Sequence, residues 1–188
     1  MLRIIGGAWR GRRLRFPAAP AIRPTPDRVR ETLFNWLAGA VADARCLDLF
    51  AGSGALGLEA LSRGAAHVTF VEHERRAARG IEECLAQWDR ERRCSWRVVT
   101  ADAHGFLAAP GQPFDIVFLD PPFASGALGA VTARLEEGGW LAPEARIYLE
   151  CPAGSSPPVP AAWARRRGKR SGQVGYHLYS RHRGIAAA

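Results

Sequence analysis

Between Arg45 and Cys151 short apolar runs alternate with helix-patterned stretches, and this alternation leaves the chain few folds to choose from. Cys46-Leu47-Asp48-Leu49-Phe50, His67 to Glu72, Trp96 to Asp102, Phe114 to Asp120 and Ala145 to Cys151 are strand-sized and rich in branched and aromatic residues. Between them, Ala55 to Ser62 reads as an Ala/Leu-rich helix closed by Gly64, and Glu74 to Trp88 puts Ala77, Ala78, Ile81, Leu85 and Trp88 on one helical face. A third helix is expected around Ala127–Glu137. Strand–helix alternation predicts an α/β fold with a doubly wound, mostly parallel, Rossmann-like sheet and right-handed crossovers. Arg165–Lys169 and Gln173–Arg181 read as an antiparallel closing pair around Ser171-Gly172.

The first 25 residues stand apart from this pattern. Segment 3–16 reads as a small glycine-turned β-hairpin, in which Leu14 and Phe16 alternate with arginines. A proline-rich stretch from Pro17 to Pro26 leads to a helix with Val29, Leu33, Phe34, Trp36 and Leu37 on its apolar face. Thr25 is the expected N-cap, with Pro26 at the first helical position and Asp27 in the first turn. The chain is therefore expected to divide into a basic extension, 1–25, and one domain, 26–188, within the usual domain size.

Charge is segregated along the chain. Residues 1–30 carry a net +7, residues 31–150 a net −6, and residues 151–188 a net +7. Basic arms on an acidic body predict a polyanionic partner docked on the arms, or a merely solvated basic surface. No apolar run is long enough to span a bilayer, and the amino terminus lacks the apolar core of a signal peptide, so a cytoplasmic protein is expected. Cys46, Cys84, Cys94 and Cys151 lack metal-ligand spacing, as do the five histidines, so reduced thiols and no metal are expected.

In a doubly wound sheet, ligands sit at the carboxyl ends of the strands near the reversal of strand order. Four predicted strands deliver an acid to that edge: Asp48, Glu72, Asp102 and Asp120. Asp120-Pro121-Pro122-Phe123 suits the holding of a planar amine. Asp120 accepts hydrogen bonds, the prolines leave rigid carbonyls without N–H groups, and Phe123 offers a flat face for stacking. The blander alternative is that Pro-Pro ends a strand and Phe123 is core.

Gly52-Ser53-Gly54-Ala55-Leu56-Gly57 spells G-x-G-x-x-G between a strand and a helix, so NAD or FAD is one expected occupant. Asp48 would oppose a pyrophosphate, and hydride transfer has no use for the quartet at 120–123. S-adenosyl-L-methionine fits better. Gly52 and Gly54 permit close backbone approach, Glu72 can hold ribose hydroxyls, Asp102 can accept from the adenine amine, and the acidic edge favours a sulfonium.

Three segments resemble one family. Arg23 to Leu37, Asp48 to Ala60 and Asp120-Pro121-Pro122-Phe123 are similar to the bacterial 16S rRNA (guanine(966)-N(2))-methyltransferases, and the likeness runs from Arg3-Ile4-Ile5-Gly6-Gly7 to Gly172-Gln173-Val174-Gly175-Tyr176. The resemblance implies a seven-stranded class I methyltransferase fold acting on one guanine amine of 16S ribosomal RNA, free or in an assembling subunit, and nothing in the sequence demands more than a monomer. It implies a cofactor pocket of Asp48, Phe50, Ala51, Gly52, Ser53, Gly54, Glu72, Asp102 and Ala103, with residues 120–123 holding the guanine. Arg3, Arg10, Arg12, Arg13, Arg15, Arg23 and Arg28 are the expected RNA contacts. A DNA adenine methyltransferase, a protein glutamine methyltransferase and a non-catalytic RNA-binding module remain alternatives.

Overall fold

The chain opens with a two-stranded ribbon, β1 (Leu2–Arg3) against β2 (Arg13–Leu14), and a helix, α1 (Asp27–Trp36). Strand and helix then alternate as β3 (Arg45–Asp48), α2 (Ala55–Ser62), β4 (His67–Glu72), α3 (Arg75–Trp88), β5 (Ser95–Thr100), α4 (Ala103–Leu107), β6 (Phe114–Leu119), α5 (Leu128–Glu137) and β7 (Leu141–Pro152). An antiparallel pair, β8 (Trp163–Ser171) and β9 (Val174–Arg181), follows. The computed structural model describes residues 2–14, 25–91, 93–123 and 126–182; Arg15 and Arg23 lie outside them.

The seven-stranded sheet has the order β5-β4-β3-β6-β7-β9-β8, with β3 to β7 parallel and β9 inserted antiparallel between β7 and β8. The chain builds outward from β3 to β5 and then returns to place β6 on the other side of β3. That reversal puts the ends of β3 and β6 side by side, where such sheets bind ligands.

Side chains alternate between the two faces, as strand geometry requires. Cys46, Val68, Phe70, Ile116, Phe118 and Tyr148 point into a core shared with the ribbon, α1, α2 and α3. Leu47, Val71, Val117, Leu119, Ile147 and Leu149 point into a second core under α4 and α5. Continuing the parity by one step, Asp48, Glu72, Asp120 and Glu150 all lie on the α1–α3 side at the upper rim.

Two helices depart from the expected local pattern. Thr25 does not cap α1: Pro26 is the N-cap residue and no side chain caps that end. The Thr25 hydroxyl instead lies within 3.4 Å of Asp120 and 3.3 Å of the buried Glu150, where the two carboxyl groups compete for it. Asp102 is not the end of a strand but the N-cap of the short helix α4, its Oδ1 accepting from Gly105 N–H at 2.8 Å. A five-residue helix carries too little periodicity to be seen beforehand.

The ribbon packs into the body rather than projecting from it. Leu2, Ile4, Trp9 and Leu14 are buried in the first core. Glu59 of α2, fully buried, accepts from Ile5 N–H and Gly6 N–H at 2.8 Å each and from Arg63 at 2.8 Å, and sits 3.6 Å from the buried Arg30 guanidinium. Arg30 also donates to the Arg3 carbonyl and to Asp27 Oδ1, both at 2.7 Å. Ser62 receives Trp9 N–H at 2.9 Å. Since α2 and α3 run away from the acidic rim, the ribbon's tip lies at the opposite end of the sheet. There Trp9 meets Trp88 edge-on at 5.7 Å, and Arg12 donates to the Trp88 carbonyl at 2.9 Å.

Candidate active site

The loop after β3 is built for backbone exposure at the rim. Gly52 and Gly54 hold positive φ, +51° and +75°, which a side chain would strain. Gly54 N-caps α2 and packs so closely on α3 that a Cβ would meet Ile81 at 3.0 Å. Gly57 serves packing instead: a Cβ there would lie 2.2 Å from the Phe70 ring of β4. The first two glycines shape the rim and the third seats the helix on the sheet.

Two of the acids brace this loop. Glu72 accepts from Gly52 N–H at 2.7 Å through one oxygen and from Glu74 N–H at 2.8 Å through the other. Asp48, almost fully buried, accepts from Gly57 N–H at 2.9 Å, satisfying an otherwise orphaned donor in the first turn of α2. Burial pushes the Asp48 carboxyl up to about 7, against the Gly57 hydrogen bond and with help from Glu72. Phe50 is half-buried, Ala51 and Ser53 are buried, and Ala103 is buried as the first residue of α4.

Beside this loop, at the end of β6, Asp120 is partly exposed and Pro121 is buried; Pro122 is exposed. Among the described residues Phe123 is the one large apolar side chain left in solvent, at 43% exposure, so it is not core. The backbone register pairs Asp48 with Phe118, which sets the β3 loop and the Asp120 quartet at neighbouring strand ends.

The structure adds three residues that sequence reasoning missed as site members. Glu150, at the end of β7, is buried; it accepts from the Tyr148 hydroxyl at 2.7 Å and shares the Thr25 hydroxyl with Asp120. The sequence signal was a single carboxylic acid in the run Ile147-Tyr148-Leu149-Glu150-Cys151, at the same parity as Asp120 on its own strand. Thr25 has one hydroxyl proton for two carboxyl oxygens, so the pair is best satisfied when one carboxyl keeps a proton. Accordingly, burial, then Glu150 and then Asp48 push the Asp120 carboxyl well above the usual carboxylate range, and burial pushes Glu150 up too. Among the described residues no Arg or Lys forms an ion pair with Asp48, Asp120 or Glu150. In a chain of net charge +8, such a cluster suits a cationic ligand, and the bare glycine loop above it suits one that approaches the backbone closely.

The expected RNA contacts are not gathered at this rim. Arg28 lies near it on α1, donating to Ser171 Oγ at 2.7 Å, and Arg3 pairs with Asp27 at 3.3 Å. Arg10, Arg12 and Arg13 belong to the ribbon, where Arg12 reaches Trp88 at the far end and Arg13 is the register partner of Arg3.

A parallel sheet with one antiparallel strand inserted near its edge, bearing a glycine loop and an Asp-Pro-Pro-Phe rim at its switch point, defines a class I methyltransferase fold. A Salinibacter ruber RNA methyltransferase, solved in complex with S-adenosyl-L-homocysteine, shares it with a TM-score of 0.66 at 15% identity over 88% of this chain and 98% of that one. Residues 2–180 match the family model described as Conserved hypothetical protein 95. The chain belongs to the bacterial ribosomal RNA small subunit methyltransferase D family: it is 53% identical to the Escherichia coli K12 protein of that name over 96% of this chain and 90% of the relative. The solved structure of yhhF from Escherichia coli superposes with a TM-score of 0.87 at 51% identity, covering 97% of this chain and 99% of that one.

Proposed function

We propose that this protein transfers a methyl group from S-adenosyl-L-methionine to the exocyclic N2 amine of a guanine in small-subunit ribosomal RNA. The observation that carries this reading is the adjacency of the 52–54 glycine loop and Asp120-Pro121-Pro122-Phe123 over Asp48, Asp120 and Glu150, which form no ion pair among the described residues. S-adenosyl-L-methionine, when bound, supplies an electrophilic methyl group on a positively charged sulfur. Asp48, Phe50 to Gly54, Glu72, Asp102 and Ala103 would hold it.

The chain's own residues prepare the nucleophile. A guanine N2 lone pair is delocalised into the ring, so the amine attacks poorly. Asp120 and the Pro121 carbonyl each accept one N2–H, which favours a pyramidal nitrogen with its lone pair aimed away from both acceptors. Alignment of this kind supplies much of the rate. As the nitrogen gains positive charge, ionised Asp120 stabilises it and is placed to take the departing proton. Burial, and after it Glu150, make Asp120 a stronger base than an ordinary carboxylate. Phe123 stacks on the base once it has left its neighbours in the RNA.

A radiolabelled methyl-transfer assay offering 16S ribosomal RNA, DNA and protein side by side tests the reading. Label should enter RNA and digest to N2-methylguanosine; label in DNA adenine or protein glutamine, or none anywhere, refutes it. Phe123→Ala should raise KM for RNA roughly 5- to 150-fold, the equivalent of ~1–3 kcal/mol of stacking, and leave donor affinity unchanged. Phe123→Trp should restore most of that loss.

The acid cluster predicts a pH signature. Asp120 must be ionised to accept both the hydrogen bond and the proton, and its carboxyl is raised, so activity falls as pH drops through a value above the ordinary carboxylate range. Glu150→Gln removes the repulsion while keeping the side chain's shape. The acidic limb of kcat/KM should then move to lower pH; a limb that stays put would disconnect Glu150 from the chemistry.

A further inference from the structure

A second concentration of charge lies on the far side of α1 from the ribbon. A pocket of about 470 Å3 is lined by Trp36, Arg146, Arg165, Arg166, Arg167 and Leu178, four arginines and no acid. None of those arginines takes part in an ion pair with another described residue. Trp36 is stacked on Tyr176, with ring centroids 5.4 Å apart and planes 27° apart, which gives the pocket a rigid apolar wall.

The backbone concentrates these charges. In an undisturbed strand Arg166 and Arg167 would face opposite sides of the sheet. The register of β8 against β9 shifts between Arg165, opposite Tyr179, and Arg167, opposite Leu178, so Arg166 is the extra residue of a β-bulge. A bulge re-aims side chains in this way. Arg166 donates to Ser180 Oγ at 2.7 Å and also meets His182 Nε2 at 2.6 Å, while Ser180 is the register partner of Arg146 on β7. Arg146, Arg166 and Arg167 therefore serve one face. An edge strand is commonly blunted with charge to prevent sheet-to-sheet pairing. That purpose needs neither a preferred face nor an arginine on β7, which is not an edge.

The same strand leads to the active-site rim. Ser171 pairs with Val174, and Val174 with Pro152, two residues beyond Glu150. Arg28, three residues after Thr25, is hydrogen-bonded to Ser171. From Arg170 and Lys169 at the rim to Arg165 below, β8 carries cations over about 17 Å, enough to follow several phosphates of one strand.

We infer that this β8 surface, centred on Arg146, Arg166 and Arg167, is a docking site for the phosphate backbone of the substrate RNA beside the target guanine. The inference rests on the RNA methyltransferase reading and adds where the polyanion lies. Phosphate is the occupant because the surface offers unpaired guanidinium forks without an acid or a base-reading carboxylate.

The test is a double variant, Arg146→Gln and Arg167→Gln, which leaves the Arg166 hydrogen bonds in place. Affinity for a 16S ribosomal RNA fragment is measured over a range of salt, alongside S-adenosyl-L-homocysteine affinity by calorimetry as a check on folding. The slope of log affinity against log salt should shrink by about 1.5, from roughly 0.7–0.9 per lost phosphate contact. KM for RNA should rise at least about tenfold with kcat at saturation and S-adenosyl-L-homocysteine affinity unchanged, since only sequence-independent backbone contacts are removed. The matching double lysine variant should keep the wild-type slope. An unchanged slope in the glutamine variant, with the wild type methylating RNA normally, overturns the inference alone. A wild type that neither methylates RNA nor binds it in a salt-dependent way overturns inference and functional reading together. Loss of activity only on protein-bearing subunits, with free-RNA affinity intact, assigns the surface to an acidic protein and overturns the phosphate assignment.

Discussion

Replacing Asp120 with alanine is expected to lower methyl transfer by about three orders of magnitude or more while donor affinity stays within a few-fold. The size follows from the number of roles that meet in one side chain. Asp120 accepts a hydrogen bond that orients the amine, carries the charge opposite the developing cation, and is placed to receive a proton. Donor affinity should survive because the glycine loop is braced from elsewhere, by Glu72 through Gly52 N–H and by Asp48 through Gly57 N–H. Asp120→Asn separates the roles, since it keeps an acceptor oxygen and loses the charge; an intermediate rate is expected. Single-turnover kinetics with saturating donor would decide the matter, and an alanine variant that turns over like the wild type ends the proposed mechanism.

The largest expected effect on stability is at Glu59, a residue with no place in the chemistry. Its carboxylate is fully buried and binds two backbone N–H groups of the ribbon, the Arg63 side chain and, at 3.6 Å, the buried Arg30. Glu59→Ala leaves Arg30 with Asp27 as its remaining ion-pair partner among the described residues, and leaves both ribbon amides without their acceptor. Removing one partner of a buried charge pair costs about 3–5 kcal/mol. For a domain of this length that corresponds to a fall in Tm of roughly 6–20 °C. The exposed Arg79–Glu83 pair is the contrast: Arg79→Ala should shift stability by less than about 1 kcal/mol. Thermal unfolding of the two variants in one buffer checks both, and equal shifts would mean that Glu59 is not the clamp described.

Much of the scaffold could be read locally because it is locally determined. Helix α2, Ala55–Ser62, and strand β4, His67–Glu72, fall where periodicity and the closing Gly64 place them. Boundaries moved where a side chain had a better partner than the pattern allowed for. Thr25 reads as a helix cap because Thr before Pro usually is one, yet its hydroxyl is drawn to two carboxyls that are distant in sequence. Asp102 closes an apolar run and reads as a strand end, but an unrecognised single-turn helix takes its carboxylate. Strand β7 begins at Leu141, four residues before the apolar run, because an irregularity in its register with β6 admits Pro143 and Glu144.

The sequence by itself determined the strand–helix alternation, the glycine loop, the Asp-Pro-Pro-Phe motif and the two basic arms, since each depends on residues within a few positions of one another. Only the tertiary structure decided what surrounds Asp120. Placing β6 between β3 and β7 brings Asp120 and Glu150 onto the one hydroxyl of Thr25, which is 125 residues from Glu150, and the resulting burial and repulsion set the basicity of the carboxylate. It also separated the cations, sending Arg12 of the ribbon to the far end and gathering Arg146, Arg166 and Arg167 on one face. The physical reason is that proton affinity and field depend on distance through the folded protein, and strand order, which no local pattern encodes, sets those distances.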